Sequence, residues 1–256
     1  MKVVLFCGGL GLRLRDYSDE IPKPMVNIGD RPILWYLMKY YSHFGITDFI
    51  LCLGYRGDAI RQYFLNYNEC MYNDFVMNGT GDIIRPFKSD IKDWKVTFVD
   101  TGLNANIGQR LYAVRKYLEG EDVFMANYSD ALTDLPLDKY IDFFRQQNKT
   151  ASFVSVHPNE SFHVVDSDQS GSVTNIQPVA KSVRINCGFF ILRREFFDYI
   201  NDGEELVVEP FHRLIANNAL VTYAYDGFWK CMDTFKDKRE FDEMHVRGER
   251  PWVVWT

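Results

Sequence analysis

Positive charge is in short supply in this chain: 29 Lys and Arg stand against 35 Asp and Glu, for a formal net charge of −6. A general nucleic-acid binder needs a basic stripe to displace counterions from phosphates. That class is excluded, and any anionic ligand must be held locally. Cysteine is scarce and scattered. The five residues Cys7, Cys52, Cys70, Cys187 and Cys231 contain no C-x-x-C pair, which argues against a zinc ribbon or a redox dithiol and fits a reducing cytoplasm. No run approaches the roughly 18 apolar residues that span a bilayer, and glycines interrupt the first apolar stretch too early for a signal peptide. Without export, the glycosylation pattern Asn78-Gly79-Thr80 is accidental. Internal repeats, low-complexity tracts and convincing linkers are also missing.

What is present is the composition of an ordinary globular protein, 46% hydrophobic and 25% charged over 256 residues. The length permits one large α/β domain or two smaller ones. We expect one, residues 1–256, with a nucleotide-binding half over 1–135 and an acceptor-binding half with C-terminal elements over 136–256. Strand-like runs at 2–6, 49–53, 96–100, 123–127 and 151–156 alternate with helical spacing at 32–44, 59–64 and 110–118. This alternation predicts βαβ units around a mixed, mostly parallel, Rossmann-like sheet flanked by helices. Ligands in such sheets lie beyond the carboxyl ends of the strands. Asp30-Arg31-Pro32 reads as a helix start with Pro32 in the first turn. Residues 65–94 are polar and aromatic with turn signals, and predict an excursion or extra hairpin. Alternating runs between Ala151 and Phe190, broken by Gly171 and Pro178, predict antiparallel strands added in the second half.

The first strand runs into "FCGGLGLRLRDYSDEIPKPM", residues 6–25. Gly8, Gly9 and Gly11 lack a Cβ, which permits positive φ and lets a ligand approach the backbone N–H groups. An ordinary glycine turn is the other reading. Gly9-x-Gly11 begins like a dinucleotide-binding fingerprint, but Leu14 stands where the third glycine belongs, and no G-K-[ST] follows to make a Walker A loop. The loop instead carries Arg13, Arg15 and Lys23.

Gly8-Gly9-x-Gly11-x-Arg13-Leu14, Pro22-Lys23-Pro24-Met25 and Pro32-Ile33-Leu34 together resemble the N-terminal signature of the sugar-1-phosphate nucleotidyltransferases, and within them the glucose-1-phosphate cytidylyltransferase group. The resemblance continues through Asp100-Thr101-Gly102, Arg110-Leu111, Asn186-x-Gly188-Phe189-Phe190, Glu209-Pro210, Gly227-Phe228-Trp229-x-x-Met232-Asp233-Thr234 and Pro251-Trp252. It implies the nucleotide-diphospho-sugar transferase fold. It also implies CTP as donor, a phosphorylated small molecule as acceptor, Mg²⁺ as cofactor, a cytoplasmic homo-oligomer of three or six chains, and a part in building cell-surface glycans.

The chemistry suits those residue types. Attack of a substrate phosphate on an α-phosphorus brings two anions together, so fixed cations must offset repulsion and stabilise charge on the leaving pyrophosphate. The resemblance assigns that task to Arg13 and Lys23, the phosphate cradle to Gly8, Gly9 and Gly11, and proximity to the cytosine nucleotide to Arg110. It makes Asp130 and Asp233 the Mg²⁺ ligands; a helix N-cap is the alternative for each. Two departures touch the nucleotide side. Gln109 replaces a glycine and Leu12 a threonine.

The acceptor side departs further. Ile176-Gln177-Pro178 stands where the family carries Glu-Lys-Pro, and Ser161-Phe162-His163 where the glucose enzymes have Arg-Phe-Gly. His163, Gln177, Lys181, Arg184 and Asn186 are therefore the acceptor-side candidates. Lys181 and Arg184 either restore the lost charge or decorate a strand edge. Trp229 either closes the sugar pocket or packs in the core. The changes argue for an acceptor other than glucose 1-phosphate. A catalytically silent homologue that binds a nucleotide or nucleotide sugar as a regulatory or assembly subunit is the second reading.

Overall fold

The computed structural model describes residues 1–9, 21–86, 89–158, 162–179 and 183–255. Gly11, Arg13 and Lys181 lie outside the described residues. The fold is a mixed sheet built from β1 (Lys2–Phe6), β2 (Asp48–Leu53), β3 (Lys95–Asp100), β4 (Val123–Tyr128), β5 (Ala151–Val156), β6 (Ile185–Asn186), β7 (Phe190–Arg193) and β8 (Leu220–Ala224). β1 lies between β2 and β4, and β3 flanks β2; all these pairs are parallel. The second half then adds β7 antiparallel to β4, β5 antiparallel to β7, and β8 parallel to β5. One sheet thus crosses both halves of the chain, as the strand patterns suggested.

β6 and β7 act as one strand interrupted at Cys187–Phe189. Val154 still bonds across the break, accepting from Cys187 N at 3.0 Å and donating to Gly188 O at 3.1 Å. Gly188 takes φ +85° and Phe189 φ +51°. At Gly188 a Cβ would meet Asn127 Oδ1 at 2.4 Å, so both the turn and its close contact require glycine. The irregularity places Asn186 on the side where β4 ends.

Both faces of β1 are covered. Val3 and Leu5 join a core with helix α1 (Ile33–His43), while Val4 and Phe6 join a second core with helix α3 (Ile107–Ala113) and helix α5 (Glu209–Ala216). Burial on both faces explains its unbroken apolar run. In α1, Ile33, Leu34, Leu37 and Met38 are buried as their spacing implies, but so are Trp35, Tyr36, Tyr40 and Tyr41. Pro32 precedes the helix as an extended N-cap, not as a residue of its first turn, with φ −67° and ψ 148°. Helix α2 (Gly57–Leu65) follows β2, helix α4 (Leu137–Gln147) precedes β5, and helix α6 (Phe235–Val246) follows the last strands.

The 65–94 excursion contains the short hairpin Phe75–Met77 with Ile83–Pro86. It is tied back by Arg31, which pairs with Asp90, bonds Tyr67, and lies 4.3 Å from the Trp35 ring centroid and 3.7 Å from that of Tyr72. A second ribbon, His163–Ser167 with Val173–Pro178, stands apart from the main sheet.

Candidate functional site

Lys23 opens the short 3₁₀ turn Lys23–Met25. The flanking prolines preset φ on both sides. Met25 N donates to Pro22 O at 2.8 Å, Val26 N donates to Lys23 O at 3.1 Å, and Pro24 is buried. The backbone is therefore fixed and the long lysine side chain is held out from it.

Asp130 follows β4 at the sheet's carboxyl edge. Ser129 Oγ donates to Phe6 O at 2.7 Å, which ties the end of β4 to the end of β1. The short strand Ala131–Thr133 then pairs antiparallel with Trp229–Cys231, and Met232 N donates to Asp130 O at 2.8 Å. This pairing brings Asp233 alongside Asp130 across 103 residues of sequence. The Lys23 ammonium lies between them, 2.6 Å from Asp130 Oδ2 and hydrogen-bonded to Asp233 Oδ1. Burial alone would lower the Lys23 pKa, but Asp130 and Asp233 together outweigh it and raise the value.

Neither aspartate is a helix cap. A strand follows Asp130, and the N-cap of α6 is Thr234, whose hydroxyl accepts from Asp237 N in a reciprocal capping box. Asp233 stands one residue before it, and its N–H donates to Asp237 Oδ2 at 3.1 Å. The carboxylates are thus left to face the lysine. The aromatic brace behind the second one is C-terminal: Trp252, fully buried, packs against Phe228 at 5.8 Å and Phe241 at 5.3 Å between ring centroids.

A cavity of about 760 Å³ opens beside the pair, lined by Tyr128, Asp130, Asn186, Trp229, Cys231 and Asp233 among others. Trp229 also lines a smaller neighbouring cavity of about 280 Å³ with His157 and Tyr225. Hard carboxylate oxygens converging from beside two paired strands suit Mg²⁺, a cation that takes one or two carboxylates together with phosphate and water oxygens. Among the described residues no group of three or more His, Cys, Asp or Glu side chains is arranged to hold a metal. Two converging carboxylates, Asp130 and Asp233, are what this site offers a cation.

The glycine loop differs from expectation in one respect. Neither Gly8 nor Gly9 takes positive φ. Gly8 is required for a different reason: a Cβ there would lie 2.1 Å from Arg110 Nη1. The buried Arg110 guanidinium reaches Gly8 O at 3.0 Å, Leu53 O at 3.2 Å, Gly102 O at 3.0 Å, Leu103 O at 3.3 Å and Thr101 Oγ1 at 2.7 Å. It gathers the ends of β1, β2 and β3 onto one cation. Desolvation is the largest influence on it and lowers its pKa. Gly9 is exposed, with nothing within 4 Å of where a Cβ would project.

The acceptor-side candidates are less well gathered. Asn186 lines the main cavity and its Oδ1 accepts from Gly188 N at 2.9 Å. His163 and Gln177 sit on the separate ribbon, in register with Pro178 and Val164. His163 is exposed and Ile176, beside Gln177, is 62% exposed. Arg184 is already engaged, donating to Ser155 O at 3.1 Å and Tyr225 O at 3.3 Å and pairing with Asp226. Sequence reasoning missed two contributors. Ser129 sits directly after an apolar strand, a signal that could have marked it as an anchor. Cys231, whose thiol is pushed up to about 12 by burial and by Asp233, lies in the cavity wall with no sequence signal.

A family profile described as "Nucleotidyl transferase" matches residues 2–234. Over 258 aligned positions covering 100% of both chains, the sequence is 37% identical to the glucose-1-phosphate cytidylyltransferase of Salmonella typhi and 33% identical to the probable glucose-1-phosphate cytidylyltransferase of Bacillus subtilis. Among solved structures, HddC from Yersinia pseudotuberculosis superposes with a TM-score of 0.67 at 23% identity, over 95% of this chain and 99% of that one. An apo UDP-glucose pyrophosphorylase superposes with a TM-score of 0.70 at 14% identity, over 97% and 99%. At those identities the superpositions speak for the fold, and they agree with the Rossmann-like sheet described above. The lysine between two aspartates at the sheet's carboxyl edge, the profile match and the full-length relatives converge: this chain belongs to the nucleotidyl transferase family, among its sugar-phosphate enzymes.

Proposed function

We propose that this protein transfers CMP from CTP to a phosphorylated small molecule other than glucose 1-phosphate, releasing pyrophosphate. The observation that carries the reading is Lys23 held between Asp130 and Asp233 on the rim of a cavity of about 760 Å³. An acceptor phosphate oxygen attacks the α-phosphorus, the bond to the bridging oxygen breaks, and pyrophosphate leaves with that oxygen's electron pair. Lys23 and Arg13 offset the charge on the phosphates during this step. Gly8, Gly9 and Gly11 let the phosphates approach the backbone, and Arg110 fixes the Gly8 carbonyl from behind. Asp130 and Asp233 would hold Mg²⁺, which when bound would supply positive charge against the phosphates. No protein nucleophile is required.

The choice of CTP is supported by the full-length relatives, both bearing cytidylyltransferase names. The choice of a different acceptor is supported by the ribbon. Ile176 and Gln177 replace a charged pair, and Arg184, which could compensate, is paired with Asp226. A homo-oligomer working in the cytoplasm rests on the resemblance alone; among the described residues no helix is long and apolar enough to cross a membrane. The test mixes the protein with CTP, Mg²⁺ and a panel of sugar 1-phosphates and polyol phosphates, and follows pyrophosphate. Release with at least one acceptor, and less with glucose 1-phosphate than with the best, is the expected result. Nucleotide binding without pyrophosphate from any acceptor would favour the silent homologue.

A further inference from the structure

One ammonium fills the point where two carboxylates converge. Lys23 Nζ is bonded to Asp130 Oδ2 at 2.6 Å and to Asp233 Oδ1, the two groups that the proposed function assigns to Mg²⁺. A dication bound by both carboxylates would sit about 2.0–2.1 Å from an oxygen of each. A dication held by the same two oxygens, Asp130 Oδ2 and Asp233 Oδ1, would compete with Nζ for them, and sharing them would set three positive charges against two negative ones at the closest range. We propose that the Lys23 ammonium and a divalent cation are mutually exclusive occupants of the Asp130–Asp233 pair, so that metal binding expels Lys23 and frees it for the substrate's phosphates.

The local structure permits this exchange and confines it to the side chain. Pro22 and Pro24 together with the Met25 N to Pro22 O bond hold the backbone, while the ammonium is a compact charge on a flexible four-carbon stem. The carboxylates are open to the cavity, Asp130 with 24% and Asp233 with 38% of its side chain exposed. The Cys231 thiol donates to the other Asp233 oxygen, Oδ2, at 3.5 Å. The exchange makes one lysine serve two ends. Before metal arrives it balances two carboxylates that would otherwise repel each other. Afterwards the metal takes over that role, and the lysine becomes available to phosphate only when the metal is already in place. The inference rests on the nucleotidyltransferase reading for what the freed lysine meets; the exchange itself is a property of the protein without nucleotide.

The test therefore uses metal-free, nucleotide-free protein. Mn²⁺ is titrated into the unmodified chain, Lys23→Met and Lys23→Arg, with free Mn²⁺ followed by electron paramagnetic resonance. Removing the competing ammonium tightens Mn²⁺ binding by about tenfold or more, the equivalent of one charge-assisted hydrogen bond, while Lys23→Arg binds no tighter than the parent. A lysine that only positions the aspartates gives the opposite sign, so equal or weaker binding by a folded Lys23→Met overturns the proposal. A second measurement needs no variant. The unmodified protein is pulse-acetylated with and without saturating Mg²⁺, and Lys23 labelling is read by mass spectrometry against Lys95, whose side chain is 72% exposed. A several-fold rise at Lys23 is expected; unchanged labelling means that the metal binds with the lysine still in place, and the exchange is wrong. Neither readout involves CTP or pyrophosphate, so its failure is separate from failure of the proposed reaction.

Discussion

The two sides of the candidate site are built by different means. On the nucleotide side, Lys23, Asp130 and Asp233 come from three distant segments, and each is held by backbone: a proline-flanked turn, a strand end tied to Phe6, and a strand pair closed by the Met232–Asp130 bond. On the acceptor side, His163, Ile176 and Gln177 ride on a two-stranded ribbon apart from the main sheet, with Phe162, Val165, Val173 and Ile176 all more than half exposed. A fixed cradle needs buried neighbours to over-determine it, whereas an exposed ribbon tolerates substitution at little cost to the fold. The contrast teaches why the departures from the family pattern collect where they do.

The sharpest way to break the comparison is at Lys23. Lys23→Ala should lower turnover by about 10²–10³-fold or more while the protein keeps its native circular dichroism, because the proposed function sets its charge against the reacting phosphates and not in the core. Asp130→Asn and Asp233→Asn should each weaken Mg²⁺-supported activity, an amide being a poorer ligand for a hard dication. Near-parental turnover in any of the three would remove that residue from the machinery.

Arg110 tests whether the cradle is structural underneath. Arg110→Met strips the donor from the carbonyls of Gly8, Leu53, Gly102 and Leu103. The expected loss is about 3 kcal/mol or more of unfolding free energy in a urea titration, from buried acceptors left unsatisfied. Gly54→Ala should act in the same direction, since its Cβ would lie 2.7 Å from Gly8 O and 2.8 Å from Arg110 Nη1. A midpoint unchanged in both variants would mean that the strand ends need no clasp.

On the acceptor side the effects should be smaller. Ile176→Glu with Gln177→Lys should change stability by no more than about 0.5 kcal/mol, because Ile176 is exposed and Gln177 only partly buried on a ribbon apart from the main sheet. Its gain in glucose 1-phosphate efficiency should stay below about tenfold, because Val164 and Gln177 oppose each other while Ile176 faces the other way. A larger gain would show that the ribbon closes over the cavity during turnover.

The smallest effect concerns thiols. Burial pushes the Cys7 thiol up to about 12 and raises Cys187 and Cys52 as well. At pH 8 these three should resist a disulfide reagent in the native protein, and half-exposed Cys70 should react first. Early modification of Cys7 would indicate that the strand-end core opens.

The sequence alone determined the parallel half of the sheet. Buried strands announce themselves as short apolar runs, and 2–6, 49–53 and 123–127 matched the structure to within a residue because burial on both faces imposes that pattern locally. It also marked Lys23, since prolines on both sides leave a chain little choice, and the family likeness pointed to Asp130 and Asp233. The tertiary structure alone decided how these residues meet. That Ala131–Thr133 pairs with Trp229–Cys231 is a contact between segments about 100 residues apart, and no local period encodes it. The same holds for Gly8 and Arg110. A glycine can be demanded by its own φ or by a neighbour's volume; the sequence shows the missing Cβ, and only packing reveals that a guanidinium fills its place.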